Sequence, residues 1–599
     1  MLIRNFSIIA HIDHGKTTLT DRMLLKTGTI SPREFHERLL DSNPIEQERG
    51  ITIKMAPVRM HFKLPPALAE KYQTSEAILH LIDTPGHVDF TYEVSRSLNA
   101  VEGVLLLVDA TQGIQAQTLS HYDTAKAQRL TIIPVLNKVD LVNAEITGTI
   151  LELMETFGFE EKEIVKVSAK TGLGVEALFT AIIERIPEPL GSQQQPFRAL
   201  IFTSHYDNHK GVVAAIRVRG GHITVKSKLE MLATGIVFEP AEIGVYTPKM
   251  EKVDQLAAGE VGYIATGLKN IGEAQVGDTV TTAGMTVAPL PGYQAPQLMV
   301  YMDFYPIDGD DYQNLVEGVD KLKLHDAALA FTPTHSLALG NGLRMGFLGV
   351  LHADIVRERL SREYGLELIT TVPTVRYEVT KTAGEMVIVK NAAELPDPSL
   401  IQEIKEPMTL MHIYAPKAVV GGVMRLVEEH RGTMEDLEYL GERAKLTYRI
   451  PLAEIIITFY DDLKSLSSGF ASLDYNLTGY EPVQAVKLTI LINKEPVEAF
   501  SQIVVEERAL TVARRLTAKL AEVIPRQLFP IPIQAAVGGT ILARETVKAY
   551  RKDVTAKLYG GDMTRRMKLL SKQKKGKERR AVFGKVDIPQ EAFMAVLKK

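Results

Sequence analysis

Ser7-Ile-Ile-Ala-His-Ile-Asp-His-Gly-Lys-Thr-Thr18 decides the architecture of the N-terminal region. The apolar run 3–10 predicts a buried strand, and the run from Thr17 to Leu25 predicts a helix. Between them lies Ala10-x-x-x-x-Gly15-Lys16-Thr17, a phosphate-binding loop with Ala where the first Gly usually stands. The residue types follow from the chemistry. Backbone N–H groups and a helix N-terminus hold phosphate oxygens. Gly15 lets the backbone approach closely. Lys16 reaches the β- and γ-phosphates, and the Thr17 hydroxyl ligates Mg²⁺. Asp13, His14 and Thr18 complete the loop. His11 and His14 read as loop-shaping residues rather than metal ligands.

Working outward, Leu79-His-Leu-Ile-Asp83-Thr-Pro-Gly86-His87 is a second apolar run ending in a carboxylate. Asp83 is placed to hold Mg²⁺ through water, and Gly86 to offer its N–H to a γ-phosphate. Pro134-Val-Leu-Asn137-Lys138-Val-Asp140 is a third. A carboxylate at Asp140 accepts from guanine N1–H and the exocyclic amine. Adenine lacks both donors and would leave it unpaired. Asn137 braces the loop and the Lys138 stem covers the base. Val167-Ser168-Ala169-Lys170 is the fourth, with backbone N–H groups for guanine O6. Four such segments at strand ends predict an α/β domain with GTP or GDP at the C-terminal edge of its sheet.

The chain has 599 residues, 45% hydrophobic and 24% charged, enough for several domains with their own cores. It has no cysteine, which excludes disulfides, thiolate nucleophiles and Cys-containing metal sites. No apolar run of transmembrane length and no secretory leader pattern is seen, so a cytoplasmic protein is expected. The net charge of -4 hides an asymmetry. Residues 541–599 carry 17 Lys+Arg against 6 Asp+Glu, and the remainder is acidic.

Ala10-His-Ile-Asp-His-Gly-Lys-Thr17, Arg49-Gly-Ile-Thr52, Asp83-Thr-Pro-Gly-His87 and Asn137-Lys-Val-Asp140 resemble the signatures of the translational GTPases. The resemblance implies further roles. Thr52 would bind Mg²⁺ and the γ-phosphate, and the polar stretch 28–50 would order with it. His87 would orient the attacking water once a ribosome repositions it, with Ile12 and Ile51 as an apolar gate until then. Asp13 would bind a monovalent cation. The catalytic set is then His87, Lys16, Thr52, Gly86 and Asp13, with Thr17, Thr52 and Asp83 as metal ligands.

The expected fold class is multidomain α/β and α+β. A P-loop GTPase domain (1–186) is followed by a β-barrel (187–290) of short β runs and Gly turns. Two ferredoxin-like βαββαβ patterns follow, at 291–375 and 376–484. In the first, helices are expected near 310–325 and 346–364. These two regions resemble the third and last domains of elongation factor G. Only 373–404 stands where that factor inserts a whole further domain, the one that pushes tRNA forward. A basic C-terminal α+β domain (485–599) begins with Leu488-Thr-Ile-Leu-Ile-Asn493 and a helix expected near 503–523. Val537-Gly-Gly-Thr540, Tyr559-Gly-Gly-Asp-Met-Thr-Arg-Arg566 and Ile588-Pro-Gln-Glu-Ala-Phe593 resemble the LepA family, which extends the likeness over essentially the whole chain.

Arg and Lys interleaved with Tyr suit RNA phosphates and stacked bases. The candidates are Arg544, Lys548, Tyr550, Arg551, Lys552, Tyr559, Arg565, Arg566, Lys568, Lys572, Lys574, Lys575, Lys577, Arg579 and Arg580. The implied partners are the ribosome (rRNA and ribosomal proteins) and tRNA rather than DNA, and the implied state is a monomer. The implied role is ribosome-stimulated GTP hydrolysis with one-codon back-translocation. Two other readings stay open. One is a GTPase of ribosome assembly or initiation. The other is a GTP-gated scaffold at the inner face of a membrane, held through the basic tail.

Overall fold

The computed structural model describes residues 2–36, 38–41, 43–291, 297–326, 328–336, 339–550, 567–572 and 592. The N-terminal sheet has the order β2-β3-β1-β4-β5-β6. Its strands are β1 (Leu2–Ala10), β2 (Ala56–Lys63), β3 (Glu76–Asp83), β4 (Gly103–Asp109), β5 (Thr131–Asn137) and β6 (Val165–Lys166). β2 runs antiparallel to β3, and the other pairings are parallel. β4 is buried along its whole length, which is why its sequence is apolar without alternation. Order reverses at β1, with β3 on one side and β4 on the other, and the crevice at its C-terminal end receives the loop into helix α1 (Lys16–Lys26).

The barrel is built on two long antiparallel strands, Arg198–Asp207 and Gly211–Gly220, within an eight-stranded sheet among the described residues. It is fixed to the nucleotide domain by Arg217, whose side chain is fully buried. Its Nε donates to Ala100 O at 3.1 Å and its Nη2 pairs with Glu102 Oε1 at 2.9 Å. Glu102 also takes Arg219 at 2.8 Å and the Asn5 amide at 2.7 Å, so the buried charges are mutually satisfied.

The next sheet has the order Ala330–Ser336, Gly340–Phe347, Val300–Pro306, Leu368–Thr370. The one after it runs Thr433–Leu440, Arg443–Pro451, Ile401–Pro416, Ser472–Pro482. Both are the split βαββαβ arrangement. The hairpin Tyr377–Lys381 and Met386–Val389 is laid onto the N-terminal part of the Ile401–Pro416 strand, so 373–404 widens the second sheet.

Two helix expectations are corrected. Gly346 and Phe347 end a strand, and the helix starts at Val350. A Cβ at Gly346 would lie 2.7 Å from Leu298, which marks Gly346 as a close-packed sheet position. In the C-terminal domain Gln502–Val505 is a strand paired with Ala485–Ile492, and the helix is Ala509–Val523. The β-branched Ile503-Val-Val505 prefers the strand. The basic stretch 541–599 also begins inside this domain, because Thr540–Val547 is a sheet strand and Val547 and Ala592 lie in its core. Among the described residues, no helix is long and apolar enough to cross a membrane.

Candidate nucleotide site

Gly15 caps α1 with φ +91°, and a Cβ there would lie 2.5 Å from Asn137 Nδ2. Only glycine suits both constraints. No side chain caps the N-terminus of α1, so its first N–H groups are left for an anion. Thr17 is half-buried at this terminus and Thr18 is exposed.

The side chains of Lys16, Thr52 and Asp83, predicted from three separate segments, meet. Lys16 Nζ lies 2.7 Å from Asp83 Oδ1 and 3.0 Å from Thr52 Oγ1. Thr52 Oγ1 in turn donates to Asp41 Oδ1 at 3.0 Å. Burial, and then the neighbouring charge of Asp83, push the Asp41 carboxyl up to about 6. Asp83 is fully buried and its Oδ2 has no partner among the described residues. A buried, unpaired carboxylate oxygen is costly, and a divalent cation beside it would relieve that cost. The donor set therefore fits Mg²⁺ shared with phosphates. Among the described residues, no cage of three or more His, Asp or Glu side chains is gathered.

Asn137 ties the loops together. Its Nδ2 donates to His14 O at 2.9 Å, and its Oδ1 accepts from the Ala169 N–H at 3.0 Å. Lys138 donates to Asp13 O at 2.7 Å and pairs with Asp109 at 2.7 Å. Asp13 and Lys138 both have a φ of +62°. Asp140 and Lys170 are exposed at the mouth, and Ser168 is buried with its Oγ accepting from the Thr171 N–H. Arg22 anchors the same loop by donating to Ala169 O at 3.0 Å and to Lys170 O. His14 is fully buried and held down to about 3 by desolvation, in keeping with a loop-shaping role. Sequence reasoning passed over Asp109, although it closes the apolar run Val104–Val108 just as Asp83 closes its own.

Gly86 passes close to the loop, since a Cβ there would lie 3.2 Å from Ala10 O. The His87 Nδ1 accepts from the Asp89 N–H at 3.1 Å. Burial lowers the His87 pKa, and Asp89 only partly opposes this, so the ring is neutral with its proton on Nε2. The Ile12 N–H donates to Gln117 at 3.3 Å. Ile51 packs in a cluster with Ile45, Phe90, Leu348 and Ile355, of which Ile12 is not a member.

The polar stretch 28–50 contains a helix the sequence reading missed, α2 (Pro44–Arg49). Its signal was present in Asn43-Pro44-Ile45-Glu46. The Asn43 side chain accepts from the Ile45 N–H, and Glu46 reaches back to the Asn43 N–H. Glu46 also accepts from the N–H groups of Ile53 and Lys54, at 2.8 and 3.1 Å, which fixes the turn that presents Thr52.

Of the RNA candidates, Arg544 is exposed on the strand Thr540–Val547, and Lys548 and Tyr550 are exposed just beyond it. Lys568 and Lys572 are exposed on a helical segment. Arg551, Lys552, Tyr559, Arg565, Arg566, Lys574, Lys575, Lys577, Arg579 and Arg580 lie outside the described residues.

Comparison with known proteins agrees with this geometry. Residues 1–188 match the elongation factor Tu GTP binding domain, 403–491 the elongation factor G C-terminus, and 492–598 the GTP-binding protein LepA C-terminus. The chain is 50% identical over 598 residues to elongation factor 4 of Bacillus cereus, covering 100% of this chain and 97% of the relative. It is 50% identical to elongation factor 4 of Clostridium botulinum strain Loch Maree, covering 100% and 98%. A crystal structure of a Thermus thermophilus protein shares the fold with TM-score 0.56 at 18% identity, over 80% of this chain and 97% of that one.

Proposed function

The chain belongs to the elongation factor 4 family of translational GTPases, and on that footing we propose which of its residues do the work. It is a ribosome-dependent translation factor that binds GTP and GDP and hydrolyses GTP. The convergence of Lys16, Thr52 and Asp83 carries the assignment of the phosphate site.

In this reading the N–H groups of Gly15 to Thr18 and the Lys16 ammonium hold the β- and γ-phosphates. Asp140 reads guanine N1–H and the 2-amine. Lys138 lies along the base, and Ser168, Ala169 and Lys170 present backbone N–H groups to O6. Mg²⁺, when bound, neutralises charge on the phosphate oxygens. Thr17, Thr52 and Asp83 are the residues that would hold it. Asp13 is exposed at the loop and would face a monovalent cation. His87 orients the attacking water, and the Gly86 N–H steadies the γ-phosphate. Because Nδ1 is already an acceptor and Nε2 carries the proton, the ring's contribution is orientation rather than proton abstraction. Water oxygen bonds to the γ-phosphorus as the bond to the β,γ-bridging oxygen breaks. GDP leaves with the electron pair, and the water proton ends on phosphate. Ile12 and Ile51 would keep the imidazole away until the ribosome moves it.

We further infer that the C-terminal domain engages tRNA on the ribosome, in the cytoplasm, and that the outcome is one-codon back-translocation. The hairpin at 377–389 supports this reading, since it stands where a forward translocase carries a whole domain. Lys16→Ala should abolish nucleotide binding. His87→Ala should bind GTP normally and lose ribosome-stimulated turnover. Full stimulated turnover in His87→Ala would remove the water-orienting role.

A further inference from the structure

The helix Val350–Tyr364 of the first ferredoxin-like domain has no cap of its own. Its N-cap residue is Gly349, which offers no side chain. Its first N–H groups are satisfied from another domain. Asp89 Oδ2, from the turn that follows His87, accepts from the Leu351 N–H at 2.8 Å and the His352 N–H at 3.4 Å. The Asp89 side chain is 6% exposed, and a Cβ built on Gly349 would run into its carboxylate. A carboxylate on the N-terminus of a helix of 15 residues is a charge-assisted cap that also meets the positive end of the helix dipole. Tyr475, from the second ferredoxin-like sheet, is half-buried near the same carboxylate.

The opposite edge of this residue holds the catalytic ring. The Asp89 backbone N–H donates to His87 Nδ1 at 3.1 Å, through the single turn Val88–Phe90. The helix also grips α2, in the stretch that leads to Thr52. Arg362 pairs with Glu48 at 2.8 Å and Glu358 pairs with Arg49, both on α2, while Ile355 packs with Ile45 and Phe90. One helix therefore touches both the stretch that leads to Thr52 and the turn that follows His87, which the proposed function places at the γ-phosphate.

We propose that Asp89 is a positioning residue for hydrolysis, through which the seating of the Val350–Tyr364 helix sets the orientation of the His87 imidazole. The inference rests on the water-orienting reading of His87. A shift of the helix relative to the nucleotide domain pulls on the Asp89 carboxylate, and the same residue's N–H turns the ring. A displacement of about 1 Å at a reacting group costs on the order of 10²-fold in rate.

The test is stimulated GTP hydrolysis at varied ribosome concentration by full-length Gly349→Ala, Asp89→Ala, Asp89→Asn and the Gly349→Ala/Asp89→Ala double variant. His87→Ala is run alongside. Gly349→Ala should lower the ribosome-stimulated kcat by about 10²-fold. The KM for ribosomes, the affinity for GTP and the intrinsic rate should stay at their wild-type values. Asp89→Asn keeps an oxygen for the Leu351 N–H and should retain more kcat than Asp89→Ala. The double variant should be no slower than Asp89→Ala, because the added methyl then has nothing to displace. Wild-type kcat in Gly349→Ala, an effect confined to KM, or equal losses in Asp89→Asn and Asp89→Ala would overturn the proposal. Should His87→Ala keep its stimulated turnover, the reading of His87 fails first. Should His87→Ala lose it while Gly349→Ala does not, only the role of Asp89 fails.

Discussion

At the residue scale, charge pairing explains why the site is built from so few side chains. Lys16 and Asp83 are buried together, and each is tolerable there because the other is present. Asp140 stands apart, exposed at the mouth of the site. In the proposed function its carboxylate pairs with the two donors of guanine, and that pairing would set the base preference. Asp140→Asn replaces one acceptor oxygen with an amide donor that suits a carbonyl on the 2-position. Competition binding should show GTP weakened by roughly 10²-fold or more and xanthosine triphosphate strengthened. Unchanged preference for GTP would remove Asp140 from base reading. Lys16, Asp83, Asn137 and Asp140 were legible in the sequence because each ends an apolar run or sits in a loop of fixed spacing. Asp41 and Asp89 were not. Asp41 meets Thr52 within a polar stretch of no clear period, and Asp89 finds its partner 262 residues away. Local pattern says nothing about a carboxylate whose partner comes from another domain.

At the element scale, the four strand-end loops were legible because a strand buried on both faces leaves an unmistakable apolar run. β4 and β5 are such runs, and the loops after β1, β3, β5 and β6 carry the proposed site. Element boundaries followed less closely. The helix expected from Gly346 begins at Val350 because the apolar Gly346-Phe-Leu-Gly-Val reads equally as strand or helix. Close packing of Gly346 against Leu298 decides it. The seam between the nucleotide domain and the barrel rests on Arg217, a fully buried arginine that follows the apolar run Val212–Ile216 of its strand. Arg217→Ala leaves Glu102 with Arg219 and the Asn5 amide, and strips the Ala100 carbonyl of its Arg217 donor. Denaturant unfolding should register a loss of about 3–5 kcal/mol. A loss below about 1 kcal/mol would mean that the seam is held by apolar packing alone.

At the scale of the whole molecule, the chain carries buried histidines that resist protonation. Desolvation holds His14 down to about 3 and His121 to about 4, and it places His11 and His80 well below the ordinary 6.5. The unfolded chain takes up these protons as pH falls through 6.5, and the folded chain does not, so the stability they allow is lost toward acid. Asp41 and Asp474, pushed up to about 6 by burial, act in the opposite sense but only from about 6 downward. The midpoint of thermal unfolding should therefore fall between about pH 7.5 and about pH 5.5. A flat or rising midpoint would contradict the burial of these rings. The domain succession and the basic end were legible from composition and pattern. That the basic end grows out of a packed sheet was not, since Val547 and Ala592 enter the core by tertiary contact alone. In the proposed function the His87 imidazole is held in reserve until a ribosome completes the site. The direct measurement is single-turnover GTP hydrolysis by the purified chain, with and without intact ribosomes, at one salt concentration. The intrinsic rate should be slow, with an acceleration of about 10³-fold or more on ribosomes. A fast intrinsic rate, or one that ribosomes leave unchanged, would contradict it.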